Sequence, residues 1–143
     1  MMKANIDCLG KWPVDGKKSR EEKRLVAVRE QDHLPLVHGQ QQHVLMSMIV
    51  SNDVLNVGII TIPVGGYSEM ECHRGDETLY ALHGEVTIRT MNPGEKERRE
   101  NASFMSQQVR ESEKMLIPEG IRHQYLNFTE EVIKVFFAVA PGL

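Results

Sequence analysis

The chain has 143 residues, 41% of them hydrophobic and 26% charged, with a formal net charge of −3 at pH 7. That length and composition fit one ordinary globular domain. They give no electrostatic footprint for nucleic acid, no run near the roughly 18 apolar residues of a membrane span, and no apolar core of a secretory signal.

Two cysteines, Cys8 and Cys72, are too few for a disulfide framework. The expected compartment is cytoplasmic, with no membrane and no nucleic acid as partner.

Residues 1–24 read as an N-terminal arm, peripheral or flexible. Lys17-Lys18-Ser19-Arg20-Glu21-Glu22-Lys23-Arg24 is a mixed charge run without an apolar face. Trp12-Pro13 in that arm is a candidate anchor on the domain or on a neighbouring subunit. Residues 25–143 form the expected β domain. Leu25 to Val28 is a candidate first strand. His33, His38 and His43 recur every five residues around Gly39 and three glutamines. That spacing suits neither a strand face nor a helix face, so the segment reads as a polar loop with incidental histidines.

From Val44 onward strand signals are dense. Val44 to Val50 and Leu55 to Ile62 are runs rich in β-branched residues, and Pro63 ends the second. Val64-Gly65-Gly66 turns into a strand over Tyr67 to His73. Thr78 to Leu82 and Glu85 to Thr90 flank His83-Gly84. Asn92-Pro93-Gly94 is a turn and Glu95 to Asn101 a charged loop. Phe104 to Val109, Met115 to Ile117, Ile121 to Phe128 and Val132 to Val139 complete the set. Short strands at this spacing predict an all-β sandwich or barrel.

The last strand assigns its own faces. Lys134 must reach water, so Ile133, Val135, Phe137 and Val139 face the core and Phe136 faces out. Leu126 and Phe128 are opposite in parity to His123. An apolar outer face predicts a second packed sheet or a subunit interface, and a homodimer is the expected assembly.

Two carboxylates and two imidazoles are placed to converge. Glu71 and His73 share a strand face. Arg74-Gly75-Asp76 is a three-residue turn that returns Glu77 across from His73. Pro118-Glu119-Gly120 is a second turn, launching the strand that carries His123. Two His and two Glu inside a sheet suit a divalent metal ion.

These residues resemble the two signature motifs of the cupin superfamily. The first motif matches Gly65, five residues, Glu71-Cys72-His73, three residues, Glu77, six residues and Gly84, with Glu71 where the family usually has His. The second matches Ser112 in place of Gly, five residues, Pro118-Glu119-Gly120, two residues, His123, three residues and Asn127. The resemblance implies a single cupin-type double-stranded β-helix, or jelly-roll, barrel. It also implies a metal site made by Glu71, His73, Glu77 and His123.

Two carboxylates balance a 2+ charge and admit Mn, Fe, Ni or Zn. Four protein ligands in an octahedral field leave two positions for a small oxygenated molecule. By parity with the ligands, Tyr67, Glu69 and Tyr125 are candidate catalytic groups. Cys72 has the opposite parity and reads as a small buried hydrophobe. The expected function is a small-molecule enzyme, an isomerase, epimerase or lyase, using the ion as a Lewis acid on a sugar or a hydroxy- or keto-acid. A metal-dependent dioxygenase and a non-catalytic binding or sensor module are the alternatives.

Overall fold

The computed structural model describes residues 16–52, 54–91 and 103–141, and it places nine strands in two antiparallel sheets. The strands are β1 (Leu34–His38), β2 (Val44–Ser51), β3 (Asn56–Ile62), β4 (Asp76–His83), β5 (Val86–Met91), β6 (Phe104–Val109), β7 (Lys114–Ile117), β8 (His123–Leu126) and β9 (Ile133–Ala140). The larger sheet runs β1-β2-β3-β9-β4-β7 and the smaller β6-β5-β8. The fold is the expected all-β jelly-roll barrel.

Strand β9 lies inside the larger sheet, and burial alternates along its whole length. Ile133, Val135, Phe137 and Val139 are buried, while Lys134 is exposed and Phe136 only half-buried. β9 pairs β3 on one side and β4 on the other. Gly58 of β3 stands opposite Phe137, and a Cβ there would lie 2.8 Å from the ring. The phenyl group therefore occupies the space a side chain would take. The inner faces of both sheets share one core, with Val86, Ile88, Val109 and Tyr125 coming from the smaller sheet. Burying each large aliphatic there contributes roughly 1.5–3 kcal/mol.

Asn127 acts as a clamp behind this core. Its side chain is buried, and its amide nitrogen donates to the carbonyls of Ile62, Pro63 and Glu131 at 2.8–3.1 Å. Its oxygen accepts from the backbone and hydroxyl of Thr129. One side chain thus satisfies the polar backbone where β3 ends and β9 is about to begin.

Several expectations are corrected. Leu25 to Val28 is not a strand, and Leu25 is fully exposed. The first strand among the described residues is β1, inside the segment read as a polar loop. Before it lie a short helix α1 (Gly16–Glu21) and a 3-10 turn at Glu30–Asp32. Leu126 is buried rather than part of an apolar outer face, whereas Phe128 is exposed. Cys72 is exposed, because the face opposite its neighbouring site residues opens to solvent. Trp12-Pro13, the Asn92-Pro93-Gly94 turn and the Glu95–Asn101 loop lie outside the described residues.

Candidate metal centre

The site forms where the two sheets approach each other. Glu77 is the first inward residue of β4 and sits mid-sheet, paired with Val139 of β9 and Ile117 of β7. His123 opens β8 on the opposing sheet. His73 lies on the connection from β3 to β4, just before a turn at Gly75. That turn needs glycine: φ is +80°, and a Cβ would lie 2.7 Å from the Ala140 carbonyl.

The two motif turns are tied to each other. Gly120 N donates to the His73 carbonyl at 3.3 Å, and Glu119 N donates to Asp76 Oδ1 at 2.9 Å. These contacts bring histidines 50 positions apart to a ring separation of 5.2 Å, edge to face.

Glu77 is the hub. Its Oε2 lies 2.9 Å from His73 Nε2 and 3.0 Å from His123 Nε2. The Tyr125 hydroxyl donates to its Oε1. The side chains of His73, Glu77 and His123 are 8%, 4% and 1% exposed, so water does little to screen them. His73 Nδ1 contacts the Arg74 carbonyl at 3.2 Å, and His123 Nδ1 contacts the Ile121 carbonyl at 2.9 Å. A carbonyl only accepts, so in each ring Nδ1 is the donor. In the neutral ring that leaves Nε2 with a bare lone pair, the arrangement of a metal-binding histidine.

His123 Nε2 is the most telling atom. It is buried and close to Glu77 Oε2, yet the angle makes no hydrogen bond, and no other partner serves it among the described residues. A buried lone pair left without a partner beside a carboxylate oxygen is unfavourable unless a cation lies with them. The donor set of His73, Glu77 and His123 therefore fits a divalent ion, with two nitrogens and one oxygen within 4.8 Å of one another.

Without an ion, Glu77 favours the protonated form of both imidazoles. The hydrogen bond to Glu77 raises the pKa of His73 against the opposing effect of burial. At His123 burial is the largest single influence and pulls the pKa down, but the contacts with Glu77 outweigh it and the net shift is upward. Burial pushes Glu77 up, and its two imidazole neighbours more than reverse this, holding it below its ordinary value.

Glu71 lies beside this group but outside it. Its backbone exchanges two hydrogen bonds with His123, at 2.8 and 2.9 Å. Its carboxylate Oε1 is engaged by His38 Nε2 from the end of β1. That contact raises the His38 pKa despite burial. Glu69 is committed elsewhere. Its Oε1 accepts from the backbone N–H groups of Gln40, Gln41 and Gln42, chiefly Gln41, and this lowers its pKa.

Tyr67 is on the wrong side. It bridges Leu126, whereas Glu71 bridges His123, so one extra residue is accommodated between the two bridges. Such a bulge inverts side-chain parity. Tyr67 therefore shares a face with Leu126, away from His123, and the shared parity of Tyr67 and Glu71 expected from the sequence does not hold. Tyr125 does face the site, as the anchor of Glu77.

No protein-family model and no curated protein sequence matches this chain. Solved structures do match it. A Bacillus halodurans protein aligns with a TM-score of 0.57 at 23% identity, over 68% of this chain and 70% of that one. A predicted oxalate decarboxylase from Thermotoga maritima aligns with a TM-score of 0.62 at 16% identity, over 80% and 98%. The Drosophila melanogaster CENP-C cupin domain aligns with a TM-score of 0.62 at 14% identity, over 80% and 79%. The fold is that of the cupins. At these identities the likeness carries the barrel and no activity.

Of the positions that matched the two motifs, His73, Glu77 and His123 come together, whereas Gly84 and Ser112 lie at the far end of β4. His38 was missed by sequence reasoning. It is 33 residues from Glu71, and no local spacing connects them.

Proposed function

We propose that this chain is a metal-binding cupin acting on a small oxygenated molecule, such as a sugar or a hydroxy- or keto-acid. The observation that carries the reading is the buried Nε2 of His123, which lacks a hydrogen bond while facing the Glu77 carboxylate. His73, Glu77 and His123 would hold the ion, with Glu71 as a fourth donor, and Mn, Fe, Ni or Zn suits that set. When bound, such an ion would act as a Lewis acid on a substrate oxygen.

The chain's own groups prepare the site. The Ile121 and Arg74 carbonyls fix the imidazole tautomers. Tyr125 fixes the Glu77 carboxylate from behind. Glu69 would have to release three backbone amides before taking a proton, so it is the less ready of the candidate bases.

The test is elemental analysis of full-length protein purified without a metal-affinity step. A thermal-shift screen of the loaded protein against sugars, hydroxy-acids and keto-acids follows. About one ion per chain and a stabilising ligand from these classes are expected. A protein that neither retains nor takes up a divalent ion overturns the reading. Stabilisation without turnover of the ligand would place the chain among binding modules. Oxygen consumption would place it among dioxygenases.

The expected macromolecular partner is a second copy of the chain. Val37, Leu45 and Leu116 are exposed on the outer side of the larger sheet, and Phe128 is 72% exposed. Light scattering should return twice the 16.3 kDa chain mass. A monomer mass across micromolar concentrations would count against the dimer.

A further inference from the structure

We propose that His38 is the positioning residue for Glu71, and that this pair, built from two separate parts of the chain, supplies the ion site's fourth donor. The proposal rests on the metal-binding reading above and deepens it.

Glu71 and His123 are directly opposed, each donating its N–H to the other's carbonyl. Directly opposed residues of an antiparallel pair project side chains to the same face. The Glu71 side chain therefore starts beside that of His123. His38 holds Oε1, and among the described residues no hydrogen bond claims Oε2. A glutamate has three side-chain torsions, and an unheld one pays entropy to become a ligand. An imidazole hydrogen-bonded to one oxygen fixes the plane of the carboxylate beside the group of His73, Glu77 and His123 and leaves its other oxygen to turn toward an ion. Such outer partners orient metal ligands.

His38 is itself well placed to do this. It is the last residue of β1, paired with Val44. The following turn is pinned by the Glu69 carboxylate on the amides of Gln40, Gln41 and Gln42. Gly39 adopts φ +108°, and a Cβ there would fall 1.8 Å from the Gln42 carbonyl oxygen, so the turn accepts no other residue in this form. Two carboxylates two residues apart, Glu69 and Glu71, thus hold one turn at the mouth of the barrel. The side chains of His38 and Glu71 are only 35% and 21% exposed, which limits competition from water.

The experiment titrates Co²⁺ into chelator-treated full-length protein and follows the metal's visible absorption. Wild type is compared with His38→Ala, His38→Gln, Glu71→Ala, the double change His38→Ala with Glu71→Ala, and His123→Ala. Both His38→Ala and Glu71→Ala should weaken Co²⁺ binding about 10- to 100-fold and alter the spectrum. The double change should bind no more weakly than Glu71→Ala alone, because His38 acts through Glu71. His38→Gln retains an N–H donor near the Nε2 position and should recover most of the affinity and the native spectrum. A His38→Ala protein with native affinity and spectrum overturns the proposal, and so do losses that add in the double change. If those variants bind as wild type while His123→Ala does not, the metal reading stands and the role of His38 falls. Absence of Co²⁺ binding by wild type removes both.

Discussion

Replacing His123 with Ala should abolish the rise in melting temperature that a divalent ion produces, and weaken ion binding at least about 100-fold. A structural four-ligand site of the zinc type stores about 10–16 kcal/mol. One ligand's share is then about 3 kcal/mol, which is roughly two powers of ten in affinity. An ion present at 100 times its dissociation constant stabilises the native state by about 2.7 kcal/mol. For a chain of this size that is a rise of about 10 °C. The variant also loses a buried ring that packs against His73 and Tyr125, so its metal-free melting temperature should drop as well. The decisive quantity is therefore the difference between loaded and chelated protein, measured separately for each form. An undiminished metal-dependent rise in the variant would remove His123 from the ligand set.

The barrel was legible in the sequence because its most regular strands are half-buried and alternate cleanly. β9 was located to within a residue, and its inner face followed from one lysine; β6 was located too, although it is exposed along all but its last residue. β1 was not legible because Pro35 interrupts an already short apolar run. The strand is tolerated since it lies at the edge of the sheet, where a missing N–H costs no ladder bond. Conversely, Leu25 to Val28 carries β-branched residues but pairs with no strand among the described residues. Local composition alone does not distinguish the two cases.

The convergence of His73, Glu77 and His123 was readable because turn chemistry and period-two spacing are local. The fate of Glu71 and Tyr67 was not. It depends on a bulge between two isolated bridges, which flips parity without a signal in the residues. It depends also on His38, which only the closed barrel brings near.

Glu77→Gln should reverse the pH dependence of stability of the metal-free protein. In the wild type, His73 and His123 have pKa values raised above the ordinary 6.5. Groups raised on folding contribute stability that is complete below pH 6.5 and lost as pH climbs through their folded values. Glu77 is held below the ordinary 4.5, so its contribution is present above pH 4.5 and lost as pH falls through its folded value. The site therefore stabilises the metal-free fold most between pH 4.5 and 6.5. Glutamine keeps the shape of Glu77 and removes its charge. Burial is then the dominant influence on both imidazoles and favours their neutral forms. The contribution of the two imidazoles should now rise as pH climbs toward 6.5 and level off above it, where in the wild type it falls. Near pH 5.5 the loss relative to wild type should be about 3–5 kcal/mol, the usual cost of removing one partner from a buried ion pair. His38, whose pKa is also raised, is present in both proteins, so its contribution cancels in the difference between the two profiles. The measurement is denaturant unfolding from pH 4 to 8 in the presence of a chelator. Parallel profiles for the two proteins would mean that Glu77 does not govern the charge of the two histidines.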